Sequence, residues 1–307
     1  MLAQCYTRSA LFPKSPKSAL KLKPRLAAVL AEVASSDADI ALLQEVEKDW
    51  FESTLAPALA EKGYGCLYKQ RTAARKAKLD GSAILWRRTR FTLAADVLEI
   101  EFNDLAPGAG GTGGTDSAPV GDGEEHHTLV RDNVGLVAAF TSTAGPSADV
   151  VVATAHLYWD PRADDVKVAQ TRHLIEAATC YAQTHAGDAK RVVIGGDLNS
   201  LPGSEAVRAF EAAGLASAYG TDTPEFTTLT PGFTGCIDWI FHGSAFAPTA
   251  RRQVPPADRE ALGEALPSHT QPSDHLMLVC DLAPAGNSPG DGLEVAEIPY
   301  KMARAAQ

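Results

Sequence analysis

The sequence predicts a mixed α/β fold: a mixed sheet or layered sandwich of strands, covered by outer helices. Short apolar runs of strand length recur along the chain, and longer segments with apolar residues at helical spacing lie between some of them. Strands therefore come both singly between helices and in direct succession, which a doubly wound parallel sheet does not produce. With 307 residues and 45% hydrophobic content, the chain can bury a substantial core, as one large domain or two small ones.

Near the N-terminus, Leu26, Val29, Leu30 and Val33 keep helical spacing. Residues 1–31 carry six Lys or Arg and no acidic side chain, a composition shared with organelle transit peptides. The helical spacing favours mature domain instead. Strand candidates follow at 40–46, 82–86, 134–140, 150–156, 191–195, 236–241 and 276–282. Between the first two, residues 49–62 place Phe51, Leu55 and Leu59 four apart. Residues 164–185 put Leu174, Ile175, Ala178, Tyr181 and Ala182 on one stripe, so both segments read as helices. Ser204 can cap a short helix through Ala213, with Gly214 as its stop. The glycine-rich stretch 103–127 cannot offset its ordering entropy and reads as a flexible surface insertion, with His126 and His127 as solvent-exposed filler. A tail is expected from 285, with one further segment near 293–304. No internal repeat and no leucine-rich repeat array is visible.

Composition narrows the function. No run of 18 apolar residues exists, so no membrane-spanning helix is expected. The five cysteines are scattered, odd in number and free of any C-x-x-C, which argues for a reducing compartment and against a zinc knuckle. A cytoplasmic location is the expectation, with nuclear or organellar locations left open. The net charge of −10 disfavours general coating of nucleic acid. A local basic path is still available: residues 69–90 hold eight Lys or Arg against the one acid Asp80. A solvated face is the alternative for that run.

Chemistry is expected where apolar runs end in polar residues. Five places do so: LLQEVE with Glu45, TAHLYWDP with His156, GGDLNS with Asp197 and Asn199, GCIDWIF with Asp238, and PSDH with Asp274 and His275. Each has a bland alternative in a solvated strand end, an Asx turn, a core histidine or a cap. Glu45 and Asp238, however, stand among apolar neighbours, where an unpaired carboxylate costs several kcal/mol, so each needs a metal or a charged partner. Three carboxylates and an amide without thiolate suit Mg²⁺ or Mn²⁺ better than zinc. Two histidines and a further Asp add proton transfer, which together implies metal-assisted attack of water on a phosphoester. There is no G-x-S-x-G elbow and no P-loop.

In this order the motifs resemble the endonuclease/exonuclease/phosphatase superfamily, and within it the carbon catabolite repressor type of deadenylase, with nocturnin, Angel and the 2′,5′-phosphodiesterases as relatives. The resemblance rests on LAQCYTRSALFP, ADIALLQEVE, DGSAILWRRTRF, RDNVGLVAAF, TAHLYWDPRADDVKVAQ, GGDLNSLPGS, FTGCIDWIF and ALPSHTQPSDHLMLVCDL, which span residues 2–282. It implies a deoxyribonuclease-I-like, four-layered α/β sandwich, with residues 1–284 as one catalytic domain. It also implies Mg²⁺-dependent 3′→5′ trimming of adenine-rich RNA 3′ ends with release of 5′-AMP. A 2′,5′-oligoadenylate or NADP(H) 2′-phosphate substrate is a second reading, and an inactive RNA- or partner-binding module a third. Subunits of a deadenylase complex would be partners.

Residue by residue, the resemblance implies Glu45 as main metal ligand, supported by Asp274. Asp197 and Asn199 would flank the scissile phosphate, with Asp197 activating water or holding a second metal. His275 would face the phosphate, oriented by Asp238, and His156 would touch a phosphoryl oxygen. Pro161 and Phe233 would sandwich an adenine, while Thr228 stands where relatives tend to carry asparagine. Relatives also carry an asparagine shortly before the Ala-Gln match. Met1 falls one residue after it, so the strand holding it is expected upstream of the recorded start.

Overall fold

In the computed structural model, residues 1–72, 80–106, 129–286 and 296–298 are described. Three strands, β1 (Ile40–Glu47), β2 (Tyr64–Gln70) and β3 (Asp80–Arg87), form an antiparallel sheet in the order β1-β3-β2. A larger sheet uses β4 (Phe91–Leu93), β5 (Leu98–Glu101), β6 (Val134–Ser142), β7 (Val150–His156), β8 (Val192–Asp197), β9 (Ala216–Ser217) and β12 (Asp238–His242), in the order β4-β6-β7-β8-β12-β9 with β5 also on β6. The hairpin β10 (Thr228–Thr230) and β11 (Phe233–Gly235) precedes β12. A last sheet joins β13 (Phe246–Arg252), β14 (Cys280–Pro284) and β15 (Ala296–Ile298).

Period-two alternation builds the layers. On β6, Leu136, Ala138 and Phe140 face the small sheet, where they meet Ile84 of β3 and Leu42 of β1, while Val137 and Ala139 face outward. On β7, Val150 and Val152 point inward with them, and Val151 and Ala153 point outward. The outward residues are covered by helices α4 (Asp164–His185) and α5 (Glu205–Ala212) through Leu174, Ala178, Ala182, Val207 and Phe210. The outer face of the small sheet, Leu43, Ala83 and Leu85, is covered by α1 (Leu22–Ser36) through Val29 and Val33. Trp50 of α2 (Lys48–Trp50), the π-helical turn Phe51–Leu55 and Leu59 of α3 (Ala56–Glu61) complete that layer. Helix, sheet, sheet, helix is the four-layered sandwich. One parallel pair, β7 with β8, is joined across α4; all other pairs of the large sheet are antiparallel.

The predicted helix at 164–185 is observed with the same bounds, and the Ser204 side chain accepts from Val207 N, with Gly214 left-handed at the far end. The candidate strand at 276–282 is displaced: its ladder begins at Cys280, opposite Arg251 of β13, and residues 276–279 lie outside named strands. Most of the 103–127 insertion, with His126 and His127, lies outside the described residues, as do 73–79 of the basic run and most of the tail.

Candidate active site

Strand ends bring the predicted residues together. His156 ends β7 and Asp197 ends β8; they are partners in the parallel ladder, and Asp238, opening β12, is the partner of Asp197 on its other side. Register alone therefore lines His156, Asp197 and Asp238 across one end of the large sheet. Gly195 and Gly196 leave room for the neighbouring sheet and strand. A Cβ on Gly195 would stand 2.9 Å from Leu42 Cδ1 of the other sheet, and one on Gly196 would stand 2.2 Å from the Ala155 carbonyl oxygen.

His275 arrives from the C-terminal segment, tied to β10 by a bridge to Thr228. Its Nδ1 lies 2.8 Å from Asp238 Oδ2 and its Nε2 3.8 Å from Asp197 Oδ2. Burial alone would push the imidazole down, but the charges of Asp238 and Asp197 hold it well above its ordinary value and so favour the imidazolium. Asp238 is held in place by Thr227, whose hydroxyl donates to Oδ2 at 2.5 Å and accepts from the backbone N–H of Ile237 and Asp238. His156 is the opposite case. Burial, then the charges of Arg71 and His275, push it well below its ordinary value, and its neutral ring sits 3.5 Å from Asp197 Oδ2. Asp197, between them, is pushed up to about 7 by burial and by Asp238.

Glu45 forms a second pole with Asp274. A bulge between Leu43 and Val46 breaks the β1–β3 register, and Glu45 takes a φ of +59°, a left-handed conformation that costs on the order of 1–3 kcal/mol. One carboxylate oxygen accepts from Ala3 N at 2.9 Å. Burial and the Asp274 charge push Glu45 up to about 8, and neither acid has a salt bridge to Lys or Arg among the described residues. Two half-buried carboxylates that repel each other, with hard oxygen donors, fit a divalent cation. Among the described residues, the three metal-competent groups within 4.8 Å of one another are instead Asp197, Asp238 and His275. In that cluster His275 is the basic partner of two acids, whereas the charges that oppose Glu45 and Asp274 are the buried Arg25 guanidinium and the N-terminal ammonium.

Asn199 is left-handed at φ +47°; its N–H donates to Asp197 and its amide nitrogen to the Leu157 carbonyl, an Asx turn locked between two strand ends. Thr228 is buried and its hydroxyl donates to the Asp274 carbonyl at 2.9 Å, so it secures the Asp274–His275 segment rather than offering a base contact. Phe233 is 42% exposed on β11, and Pro161 is exposed beside Asp160. Of the basic run, buried Lys69 is committed to Glu99 and Glu101, while Arg87 and Arg90 pair with Asp37 and Asp39 at the surface. Supporting residues that the sequence did not single out are Thr227, Asn133 and Gln170. Asn133 donates to the His156 carbonyl and accepts from Gln170, which in turn holds Tyr158 N. Asn133 had a usable signal, since it abuts an apolar strand in RDNVGLV; Thr227 had none.

With this geometry the family follows. The Endonuclease/Exonuclease/phosphatase family profile matches residues 8–275, and the chain belongs to that family. It is 33% identical over 315 residues to "Carbon catabolite repressor protein 4 homolog 4" of Arabidopsis thaliana, covering 90% of this chain and 74% of that protein. It is 28% identical to the "CCR4-Not complex 3′-5′-exoribonuclease subunit Ccr4" of Yarrowia lipolytica, covering 95% of this chain but 48% of the relative, so it spans about half of that protein. The solved structure of ANGEL2, described as a 2′,3′-cyclic phosphatase in complex with adenosine-2′,3′-vanadate, superposes with a TM-score of 0.75 at 25% identity over 92% of both chains. The deoxyribonuclease-I-like sandwich and a hydrolase of phosphoesters are thereby established. No helix among the described residues is long and apolar enough to cross a membrane.

Proposed function

We propose that the protein is a Mg²⁺-dependent 3′→5′ exoribonuclease that trims adenine-rich 3′ ends and releases 5′-AMP. The observation that carries this reading is His275, held by Asp238 at 2.8 Å and 3.8 Å from the raised Asp197 carboxylate, together with the mutually repelling acids Glu45 and Asp274. The exoribonuclease named among its relatives supports RNA as the substrate.

In this reading Glu45 and Asp274 would hold the metal, which when bound would polarise the scissile phosphate and offset its charge. Asp197 takes the proton of the attacking water, and its elevated proton affinity suits a base working near neutrality. The water oxygen bonds to phosphorus as the bond to the leaving 3′ oxygen breaks. His275 as imidazolium stabilises the negative charge that gathers on the phosphoryl oxygens, and neutral His156 donates a hydrogen bond without adding charge. Asn199 fixes the turn that presents Asp197. Pro161 and Phe233 offer flat apolar faces to the terminal adenine, a contact worth ~1–3 kcal/mol per base.

A 2′,3′-cyclic phosphatase is a second reading, supported by the likeness to ANGEL2 and by the engagement of Thr228 away from a base. Labelled poly(A), RNA ending in a 2′,3′-cyclic phosphate, 2′,5′-oligoadenylate and NADP⁺ incubated side by side with Mg²⁺ and with EDTA separate the readings. Metal-dependent AMP release from poly(A) is the expected result. Ring opening or 2′-phosphate loss alone would refute it. Association with deadenylase-complex subunits and a cytoplasmic location belong to the same proposal and are checked by co-purification and cell fractionation.

A further inference from the structure

Arg25, on the first turn of α1, is 4% exposed, and its terminal nitrogens go to uncharged oxygens. Nη1 donates to the Pro272 carbonyl at 3.1 Å and Nη2 to Gln4 Oε1 at 3.2 Å. Taking a guanidinium out of water for neutral acceptors alone is costly. The acids nearby lighten that cost: burial pushes the proton affinity of Arg25 down, and the charges of Asp274, then Glu45 and Glu47, oppose the push.

The two acceptors lead to the two acids of the metal pole. Pro272 stands two residues before Asp274, whose carbonyl is fixed to the β10 hairpin by Thr228 Oγ1 at 2.9 Å and Leu229 N at 3.3 Å. Gln4 follows Ala3, whose N–H holds the Glu45 carboxylate at 2.9 Å, and Gln4 Nε2 donates to the Leu20 carbonyl just ahead of α1. Among the described residues, β1 pairs only with β3, and Asp274 lies outside the named strands. No ladder therefore sets the distance between the two acids. The planar fork of Arg25 joins the segment that holds Glu45 to the segment that carries Asp274, across sequence separations of 21 and 247 residues.

From these contacts, and resting on the reading of Glu45 and Asp274 as the metal-holding acids, we infer that Arg25 is a positioning residue for the metal: its fork fixes the separation of the two carboxylates, so that both can meet one divalent cation. This role opposes the electrostatics. A neighbouring positive charge by itself weakens cation binding, so an Arg25 acting only through its charge would leave a tighter metal site when removed. A clamp predicts the reverse.

Calorimetric titration of the metal-free protein with Mg²⁺ separates the two. Arg25→Gln and Arg25→Lys should each weaken Mg²⁺ binding by about tenfold or more, as loss of an outer hydrogen bond to a metal site does. Lysine keeps the charge but does not reproduce the fork. Gln4→Ala cuts one arm, leaves the charge in place and should weaken binding likewise. It keeps the test available if an Arg25 variant fails to fold, which circular dichroism would show. Tighter binding in Arg25→Gln, or wild-type affinity in folded Arg25→Lys and Gln4→Ala, overturns the inference. Glu45→Gln, titrated alongside, separates this failure from failure of the metal reading, which falls if Glu45→Gln binds Mg²⁺ as well as wild type or if the wild type binds none. Amide hydrogen exchange of the metal-free proteins then decides the clamp. Faster exchange at Ala3 and Leu229 in the variants, with β6 and β7 amides unchanged, upholds it, and unchanged exchange at both refutes it.

Discussion

Replacing Asp238 by Asn removes the charge behind His275 while leaving a group that can still accept from Nδ1. At 2.8 Å and an effective dielectric of about 20, the lost attraction is ~6 kcal/mol. If a third survives relaxation and screening, the imidazolium loses about 2 kcal/mol, or roughly 1.5 pKa units. The sign follows from the direction of the shift: His275 is held above its ordinary value, so the variant must deprotonate at lower pH. The expected kinetic effect is a fall in kcat of about 10²–10⁴-fold, typical for a positioned acid–base group that loses its orienting carboxylate. The alkaline limb of the pH–rate profile should move down by more than one unit. The assay is AMP release from labelled poly(A) between pH 5.5 and 9, with the His275 ring titrated in parallel by NMR. An unmoved imidazole titration with kcat within threefold of wild type would refute the argument that Asp238 governs His275.

Three further outcomes are expected. Glu45→Gln should abolish turnover and the Mg²⁺-dependent rise in Tm, while the metal-free protein unfolds no earlier than wild type because repulsion with Asp274 is removed; a preserved metal-induced Tm shift would count against Glu45 as a ligand. Gly196→Ala should cost at least ~3 kcal/mol in urea unfolding, since its methyl meets a backbone carbonyl that cannot retreat, and Gly195→Ala should cost less, since the Leu42 side chain can turn aside; equal costs would contradict the packing. Glu32, buried on α1 and pushed up to about 7 by burial against the opposing pull of Arg252, favours its protonated form in the fold, so stability should fall as pH rises from about 4.5 to 7. Glu32→Gln should flatten that slope and gain up to about 3 kcal/mol at pH 8, read from urea midpoints across the range.

Much of the site was legible because chemistry sits at strand ends, and a strand end is a local event. An apolar run that stops on Asp, His or Glu announces its polar residue without reference to the rest of the chain, which is how Glu45, His156, Asp197, Asp238 and Asp274–His275 stood out. Helix α4 was legible for a similar reason, since its stripe repeats over 22 residues. Thr227 was not, because a hydroxyl bonded to Asp238 looks the same in sequence as any loop threonine. The packing role of the two glycines of GGDLNS was not legible, because a sequence cannot say which neighbour a missing Cβ accommodates.

Apolar runs of strand length, interleaved with segments of helical spacing, were enough to mark the fold class and the residues able to do the chemistry. Tertiary structure alone decided their states. His156 and His275 are the same side chain, yet one is neutral beside Arg71 and the other cationic between two carboxylates, because a pKa depends on burial and on charges brought close from distant parts of the chain. It also decided that buried Lys69 is spent on Glu99 and Glu101, while Arg87 and Arg90 meet Asp37 and Asp39 at the surface.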